Sequence, residues 1–302
     1  MTSQHAHEAG GLISFLDEVL LHGFLDTLKL VPFLFLTYLL MEFIEHKATD
    51  KAERFMKKAG PVAPLIGGAL GAVPQCGFSA AASNLFAGRV ITVGTLVAVF
   101  LSTSDEMLPI LISGKISALG IAVILIYKAL VGIAVGFFAD FLFRIFKRER
   151  EEINIDEICD NDNCHCERGI FYSALHHTLT ISLFVLIVTL CLNTLIFFVG
   201  EESLGAIMYD KPIISHLIAA VFGLIPNCAA SVVLSTLFAD GLITAGTMMA
   251  GLFSGAGVGV LVLFRVNKHI KENLTVLGIL VGAGIVFGIL ADLVMPRELF
   301  FS

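Results

Sequence analysis

Tryptophan is absent from this chain and charge is scarce. Among 302 residues only 15% are Asp, Glu, Lys or Arg, whereas 57% are hydrophobic and the mean hydropathy is +0.90. Soluble domains carry about a quarter charged residues, so this shortage excludes an ordinary solvated surface. Apolar stretches well beyond the ~18 residues that mark a candidate span cover most of the chain. The solvent is a bilayer, and the chain reads as a polytopic helical membrane protein. Without Trp, the usual indole markers of the membrane interface are missing. The opening MTSQHAHEAGG lacks the basic n-region of a secretory signal, so these residues are expected to belong to the mature protein. No GxxxxGK[ST] run or other ATP-binding pattern occurs, which argues against a primary pump unless a partner subunit supplies ATP. The formal net charge of −7 says little, because the placement of charge outweighs its total in a membrane protein.

What is present occurs twice. Residues 64–88 read PLIGGALGAVPQCGFSAAASNLFAG and residues 216–240 read HLIAAVFGLIPNCAASVVLSTLFAD. Pro74-Gln75-Cys76 corresponds to Pro226-Asn227-Cys228 at an offset of 152. The same offset matches Leu85-Phe86-Ala87 with Leu237-Phe238-Ala239, Thr92 with Thr244, and Gly94-Thr95 with Gly246-Thr247. It also matches Gly132, Gly136, Ala139 and Asp140 with Gly284, Gly288, Ala291 and Asp292. A run of identities at one spacing is the mark of an internal duplication.

Four segments follow along the chain. Residues 1–24 are a tail and an interfacial helix, since 11–23 set Ile13, Leu16, Val19 and Leu20 on one face and Asp17 and Glu18 on another. A first membrane repeat covers 25–146, a polar linker 147–169 and a second repeat 170–302. The spacing predicts spans at about 25–46, 90–112 and 116–143, then 170–199, 242–264 and 274–295. Between the first and second span of each repeat lies the duplicated stretch. Read as one span, 64–88 would hold Pro74 at its middle, where a donor is lost and the ring strikes the preceding turn. Read as a re-entrant hairpin, each arm reaches roughly 15–18 Å at 1.5 Å per residue, about to mid-bilayer.

Charge favours the hairpin. With hairpins at 64–88 and 214–240, the loops 47–60, 144–169 and 265–273 and the exit residue Arg89 fall on one side, with fourteen of the 19 Lys and Arg. Only Lys115, Lys211 and Arg297 remain on the other face. Cytoplasmic loops carry that excess, which puts the linker inside and both termini outside. Two full spans in place of each hairpin would preserve this parity, so charge leaves that version open. The expected fold is an all-α polytopic membrane protein of two inverted repeats, each three spans plus a broken re-entrant helical hairpin, about ten helices in all. Secondary transporters use this plan, with broken helices meeting around the substrate at the midplane.

The hairpin tips carry candidate chemistry. A broken helix leaves amide and carbonyl groups that only protein or a watery cavity can complete inside a bilayer. Gln75 and Asn227 offer donors and acceptors, and Cys76 and Cys228 offer polarisable sulfur for soft metals and metalloids. Ser79, Ser83 and Asn84, with Ser231, Ser235 and Thr236, are candidates to line the arms. The competing reading is close packing of small residues, with each Cys a small buried hydrophobe. Asp105 and Glu106 are adjacent acids inside a span, where acids face a cavity or a partner. They are candidates for cation or proton binding, against an ion pair with Lys128 or a place near the outer interface. Glu42 is a third such candidate. Asp140 and Asp292 lie near helix ends and read as caps or solvated groups.

The linker holds Cys159, Cys164, His165 and Cys166 within eight residues. On the cytoplasmic side thiols stay reduced, and thiolate with imidazole suits Zn²⁺, Cu⁺ or trivalent arsenic. The spacing is not a standard zinc-finger pattern, so a capture or sensing loop is expected. His176 and His177 begin the next span and carry little weight as ligands.

Paired P-Q-C-G and P-N-C-A hairpins joined by a Cys/His-rich linker resemble the ten-helix heavy-metal or arsenic efflux permeases, a group that also carries a manganese-transporter label. The resemblance covers essentially the whole chain. It implies export of a metal or metalloid across the inner, cytoplasmic membrane of a prokaryote, with Pro74, Gln75, Cys76, Pro226, Asn227 and Cys228 as the matching motif positions.

The first reading is therefore a proton-coupled secondary transporter exporting a soft metal or metalloid, and not an enzyme. Its partners are the ion and the lipid bilayer, not nucleic acid, and it needs no cofactor beyond the ion it carries; a homo-oligomer is compatible with the sequence. A manganese or other divalent-cation transporter is the alternative, using Asp105, Glu106, Gln75 and Asn227. From another class come a membrane thiol redox protein, weakened by the lack of a CxxC pair, and a metal sensor.

Overall fold

The structure is a computed structural model that describes residues 62–72, 76–104, 107–114, 116–145, 170–199, 212–226, 228–296 and 299–300, with scattered helical residues between 24 and 39. The interfacial helix at 11–23, the basic loop 47–60 and the linker lie outside the described residues. Those described are helical, with no strand among them. In the first half come α1 (Ala63–Gly71), α2 (Cys76–Ala87), α3 (Val93–Ser102), α4 (Met107–Ser113) and α5 (Ala118–Ile145). The second half holds α6 (Ile170–Val199), α7 (Pro212–Gly223), α8 (Cys228–Ala239), α9 (Ala245–Ser254), α10 (Val258–Val266) and α11 (Ile270–Val294).

Four stretches are long and apolar enough to cross a bilayer: Val93–Ser113, α5, Ala245–Val266 and α11. The outward faces of α5 and α11 are apolar, with Leu130, Phe138 and Phe141 on one and Val286, Leu293 and Val294 on the other exposed. Exposed apolar area on this scale marks a lipid-facing surface. On α6, Phe171, Leu175, Leu179, Leu183 and Ile187 are exposed at i, i+4 spacing, while Ala174, Thr178, Ile181 and Ser182 are buried. That is a helix with one face to lipid and one to protein.

Two spans differ from expectation. The spans predicted at about 90–112 and 242–264 are each interrupted, between α3 and α4 and between α9 and α10. In the first half Thr103 turns to φ −58°, ψ 132°, and its Oγ1 donates 2.7 Å back to the Val99 carbonyl. In the second half Gly255 is extended and Gly257 takes φ 51°, ψ −136°, a conformation that glycine alone adopts freely. Hydropathy averaged over a span does not register so short a turn.

The duplication reappears contact by contact. Thr92 caps α3 by accepting from Thr95 N at 3.1 Å, and Thr244 caps α9 by accepting from Thr247 N at 3.1 Å. Asp140 accepts from Thr92 Oγ1 and Gly94 N, both at 2.8 Å. Asp292 accepts from Thr244 Oγ1 at 2.8 Å and Gly246 N at 2.6 Å. Each carboxylate, near the end of one span, thus holds the positive N-terminus of another. Both α2 and α8 end in a Schellman turn: Val90 N donates to Leu85 O and Leu242 N to Leu237 O. The left-handed residue of that turn is Gly241 (φ 76°) in the second half but Arg89 (φ 57°) in the first. Arg89 is compensated by an ion pair to Glu272 at 2.8 Å.

Contacts also fix helix directions. On α1 and α3, Gly67 abuts Thr95 and Gly71 abuts Val99, so these helices run the same way. On α7 and α9, Ser215 bonds Thr247 at 3.1 Å and Gly223 abuts Gly251, so they do too. Since α2 joins the end of α1 to the start of α3, it returns in the opposite sense, and α8 does the same between α7 and α9. Equivalent long helices α5 and α11 run antiparallel. At one end Ser117 Oγ donates to Leu299 O at 2.6 Å, and further along Tyr127 Oη donates to Phe287 O at 2.7 Å. The Arg89–Glu272 pair lies toward the opposite end, where the N-terminus of α11 meets the exit of α2.

Candidate functional site

Each half contains two interruptions that lie side by side. In the first, Ser104 Oγ reaches the Ala72 carbonyl at 3.5 Å, bringing the end of α1 to the break after α3. In the second, a Cβ at Gly255 would stand 2.8 Å from the Gly223 carbonyl, so the end of α7 meets the break after α9. Glycine and serine permit this approach because no side chain separates the backbones.

The halves then exchange partners. α2 packs against α10 and α8 against α4. Ser83 Oγ donates 2.7 Å to the Gly259 carbonyl at the start of α10. A Cβ at Gly259 would lie 2.7 Å from Ser79 Cβ and 3.0 Å from the Phe100 ring. Here the first turns of α2 and α10, one from each half, stand together and point the same way. At the far end of the other pair, a Cβ at Gly114 would touch Ala239 Cβ at 2.7 Å.

Such an arrangement supplies both signs of backbone charge without ionised groups. N-termini of α2 and α10 present the positive ends of helix dipoles. C-termini of α1, α3, α7 and α9 present carbonyls. Buried side chains add donors: Asn84 Nδ2, Ser102 Oγ and Ser235 Oγ have no hydrogen-bond partner among the described residues. Asn84 is oriented by Tyr38, whose hydroxyl donates to its Oδ1 at 3.1 Å. A site of this kind can strip water from a small polar or charged solute and replace it.

Of the residues singled out from sequence, Cys76 opens α2 and Cys228 opens α8. Both thiol positions thus stand at the first turn of a half-helix. Ser79 is fully buried beside Gly259, and Ser231 is half-buried on α8. Ser83, Asn84 and Ser235 are fully buried. Gln75, Asn227, Asp105, Glu106, Glu42 and the linker ligands Cys159, Cys164, His165 and Cys166 lie outside the described residues. Among the described residues no three His, Cys, Asp or Glu side chains converge as a metal site. His176 is exposed on α6. Asp140 and Asp292 are caps, as their places near helix ends led one to expect.

Two features escaped the sequence reading. One is His216, buried on α7 with its Nε2 3.0 Å from Asp292 Oδ2, where the first half has Pro64. The other is the contact at Gly259, whose missing side chain lets α2 and α10 touch; its glycine-rich run Gly255-Ala256-Gly257-Val258-Gly259 signals flexible backbone but not the helix it meets. Comparison with protein-family models, with curated proteins and with solved structures finds no match to this chain.

Proposed function

We propose that this protein is a secondary transporter exporting a soft metal or metalloid across the cytoplasmic membrane, in the manner of the ten-helix efflux permeases it resembles. The observation that carries the reading is the pair of half-helices α2 and α8, each opening on a cysteine directly after a break, in halves whose equivalent helices α5 and α11 run antiparallel. In this proposal the halves are inverted repeats, and α1–α2 and α7–α8 are re-entrant hairpins. Parallel packing of α1 with α3 and of α7 with α9 supports the hairpins. The end of the bundle holding Arg89, Arg265, Lys268 and Lys271 is the cytoplasmic one, because it is the basic one.

Substrate is bound by Cys76, Cys228, Gln75, Asn227, Ser79 and Ser231. Asp105, Glu106 and Glu42 exchange protons, and Cys159, Cys164, His165 and Cys166 collect the ion from the cytoplasm. The paired cysteines at the helix starts weigh toward a soft ion such as trivalent arsenic rather than Mn²⁺. The test is an ion panel. Cells expressing the chain are expected to accumulate several-fold less arsenite than cells lacking it, with Mn²⁺ unchanged. A change confined to Mn²⁺ would transfer the proposal to a divalent-cation carrier, and no change in arsenite, Zn²⁺, Cu⁺ or Mn²⁺ would remove it.

A further inference from the structure

Lys128 is the most anomalous side chain in the fold. It sits in the middle of the long span α5 and is only 1% exposed. Its Nζ donates to the Leu252 carbonyl at 3.3 Å and stands 5.5 Å from the Phe253 ring centroid. Leu252 and Phe253 form the last turn of α9, immediately before the break at Gly255–Gly257. Carbonyls of a helix's last turn lack intrahelical donors and carry the negative end of its dipole. The ammonium therefore occupies a place where a broken membrane helix would otherwise need a bound cation or water.

The position has no counterpart in the other half. At the offset of 152, Lys128 corresponds to Leu280, which is completely buried. A charge in one half only, at a cost of several kcal/mol for any ionised group at mid-bilayer, is not required for the duplicated scaffold, which Leu280 fills with hydrocarbon. The contact also crosses between halves, because α5 belongs to the first and α9 to the second. Of the elements in contact with this part of α5, α1, α3, α4 and α9 carry no titratable side chain among the described residues, and Asp105 and Glu106, between α3 and α4, lie outside them. α11 keeps Lys271, Glu272 and Asp292 at its ends, and on α5 the neighbouring titratable group is Tyr127, whose hydroxyl donates to Phe287 O.

We propose that Lys128 is a proton-operated latch between the two halves: as an ammonium it holds the C-terminal end of α9 against α5, and as a neutral amine it releases it. In the releasing step one Nζ–H bond breaks, the proton leaves to water admitted at the break, and the electron pair stays on nitrogen; reprotonation from the opposite aqueous phase resets the latch. The inference deepens the transport reading and rests on it for its coupling role, but the latch itself is testable alone.

The experiment has two arms on the full chain, comparing the wild type with Lys128→Met, Lys128→Gln and Lys128→Arg. In the first, hydrogen–deuterium exchange in dodecylmaltoside follows peptides covering residues 250–260. Met and Gln variants are expected to exchange there at least fivefold faster, with α1–α3 peptides unchanged and Arg near wild type. Equal exchange in all four proteins overturns the latch, and Gln carries the comparison if Met does not fold. In the second, each protein is reconstituted into vesicles of phosphatidylethanolamine and phosphatidylglycerol (3:1) and arsenite is supplied outside, with equal arsenite inside for the exchange measurement. Neutral variants are expected to keep at least half of the arsenite exchange at equal pH, yet lose tenfold or more of the accumulation driven by a pH gradient. Gradient-driven accumulation within twofold of wild type overturns the coupling role. If wild-type vesicles move none of arsenite, Zn²⁺ or Mn²⁺, the transport reading fails and with it the coupling role, while the exchange arm still decides the latch.

Discussion

Leucine in place of Gly132 or Gly284 is expected to abolish the folded protein. These glycines are equivalent in the two halves and sit where α5 crosses α3 and α11 crosses α9. A Cβ at Gly284 would lie 2.6 Å from both the Ala250 carbonyl and Ser254 Oγ, and one at Gly132 would lie 2.9 Å from the Ala98 carbonyl and closer still to Ser102 Oγ. Neighbouring backbone cannot rotate away as a side-chain tip can. One extra methylene in a packed interior costs about 1–3 kcal/mol, and a leucine brings four carbons into a site that rejects the first. Against a total stability of about 5–15 kcal/mol, the loss is expected to exceed ~4 kcal/mol. Gly278 and Gly282 provide the control, since a Cβ at either meets nothing within 4 Å. Alanine there should be neutral or should stabilise α11 by up to ~1 kcal/mol. Size-exclusion chromatography and circular-dichroism melting of the four variants check both statements. Equal behaviour of the two pairs would mean that the crossings are not the close contacts described.

The second large effect concerns transport. Serine at both Cys76 and Cys228 is expected to lower arsenite efflux at least tenfold while leaving expression and melting temperature near wild type. Oxygen replaces sulfur with little change in volume, so the helix starts persist, but the soft ligand for trivalent arsenic is gone. Each single replacement should retain part of the activity only if one thiol suffices; two thiols acting as a unit give singles as defective as the double. Uptake into everted membrane vesicles, whose cytoplasmic face is outside, is the readout. Unchanged arsenite efflux with altered manganese uptake would reject the soft-ion reading.

The residues that betrayed the duplication are those on which the helices are hung. Thr92, Gly94, Asp140 and Gly136 repeat as Thr244, Gly246, Asp292 and Gly288 because capping and close crossing each admit few residue types. Helix type and the place of α5, α6 and α11 followed from hydropathy for the same reason that a bilayer admits few alternatives. The interruptions after α3 and α9 were hidden, since Thr103, Ser104 and Gly255 fit equally well inside a membrane helix. Partner choice was hidden as well. Small residues permit contact without naming its recipient, so nothing in Ser83 or Gly259 announced that α2 would leave its own half to pack on α10. Lys128 was visible as a mid-span charge, but the Leu252 carbonyl it reaches is a group that every residue carries. His216 escaped because it breaks the repeat, standing where Pro64 does in the first half.

Transport by the proposed route requires the starts of α2 and α8 to approach one another across the two halves. A protease site placed in the linker 147–169, in a chain retaining only Cys76 and Cys228, turns their proximity into a band on a gel. Treatment with Hg²⁺, which bridges two thiolates, followed by cleavage should leave the halves joined, and bound arsenite should prevent the bridging. Halves that separate after mercury treatment, in protein that keeps the wild-type elution volume and melting temperature, would contradict the shared site.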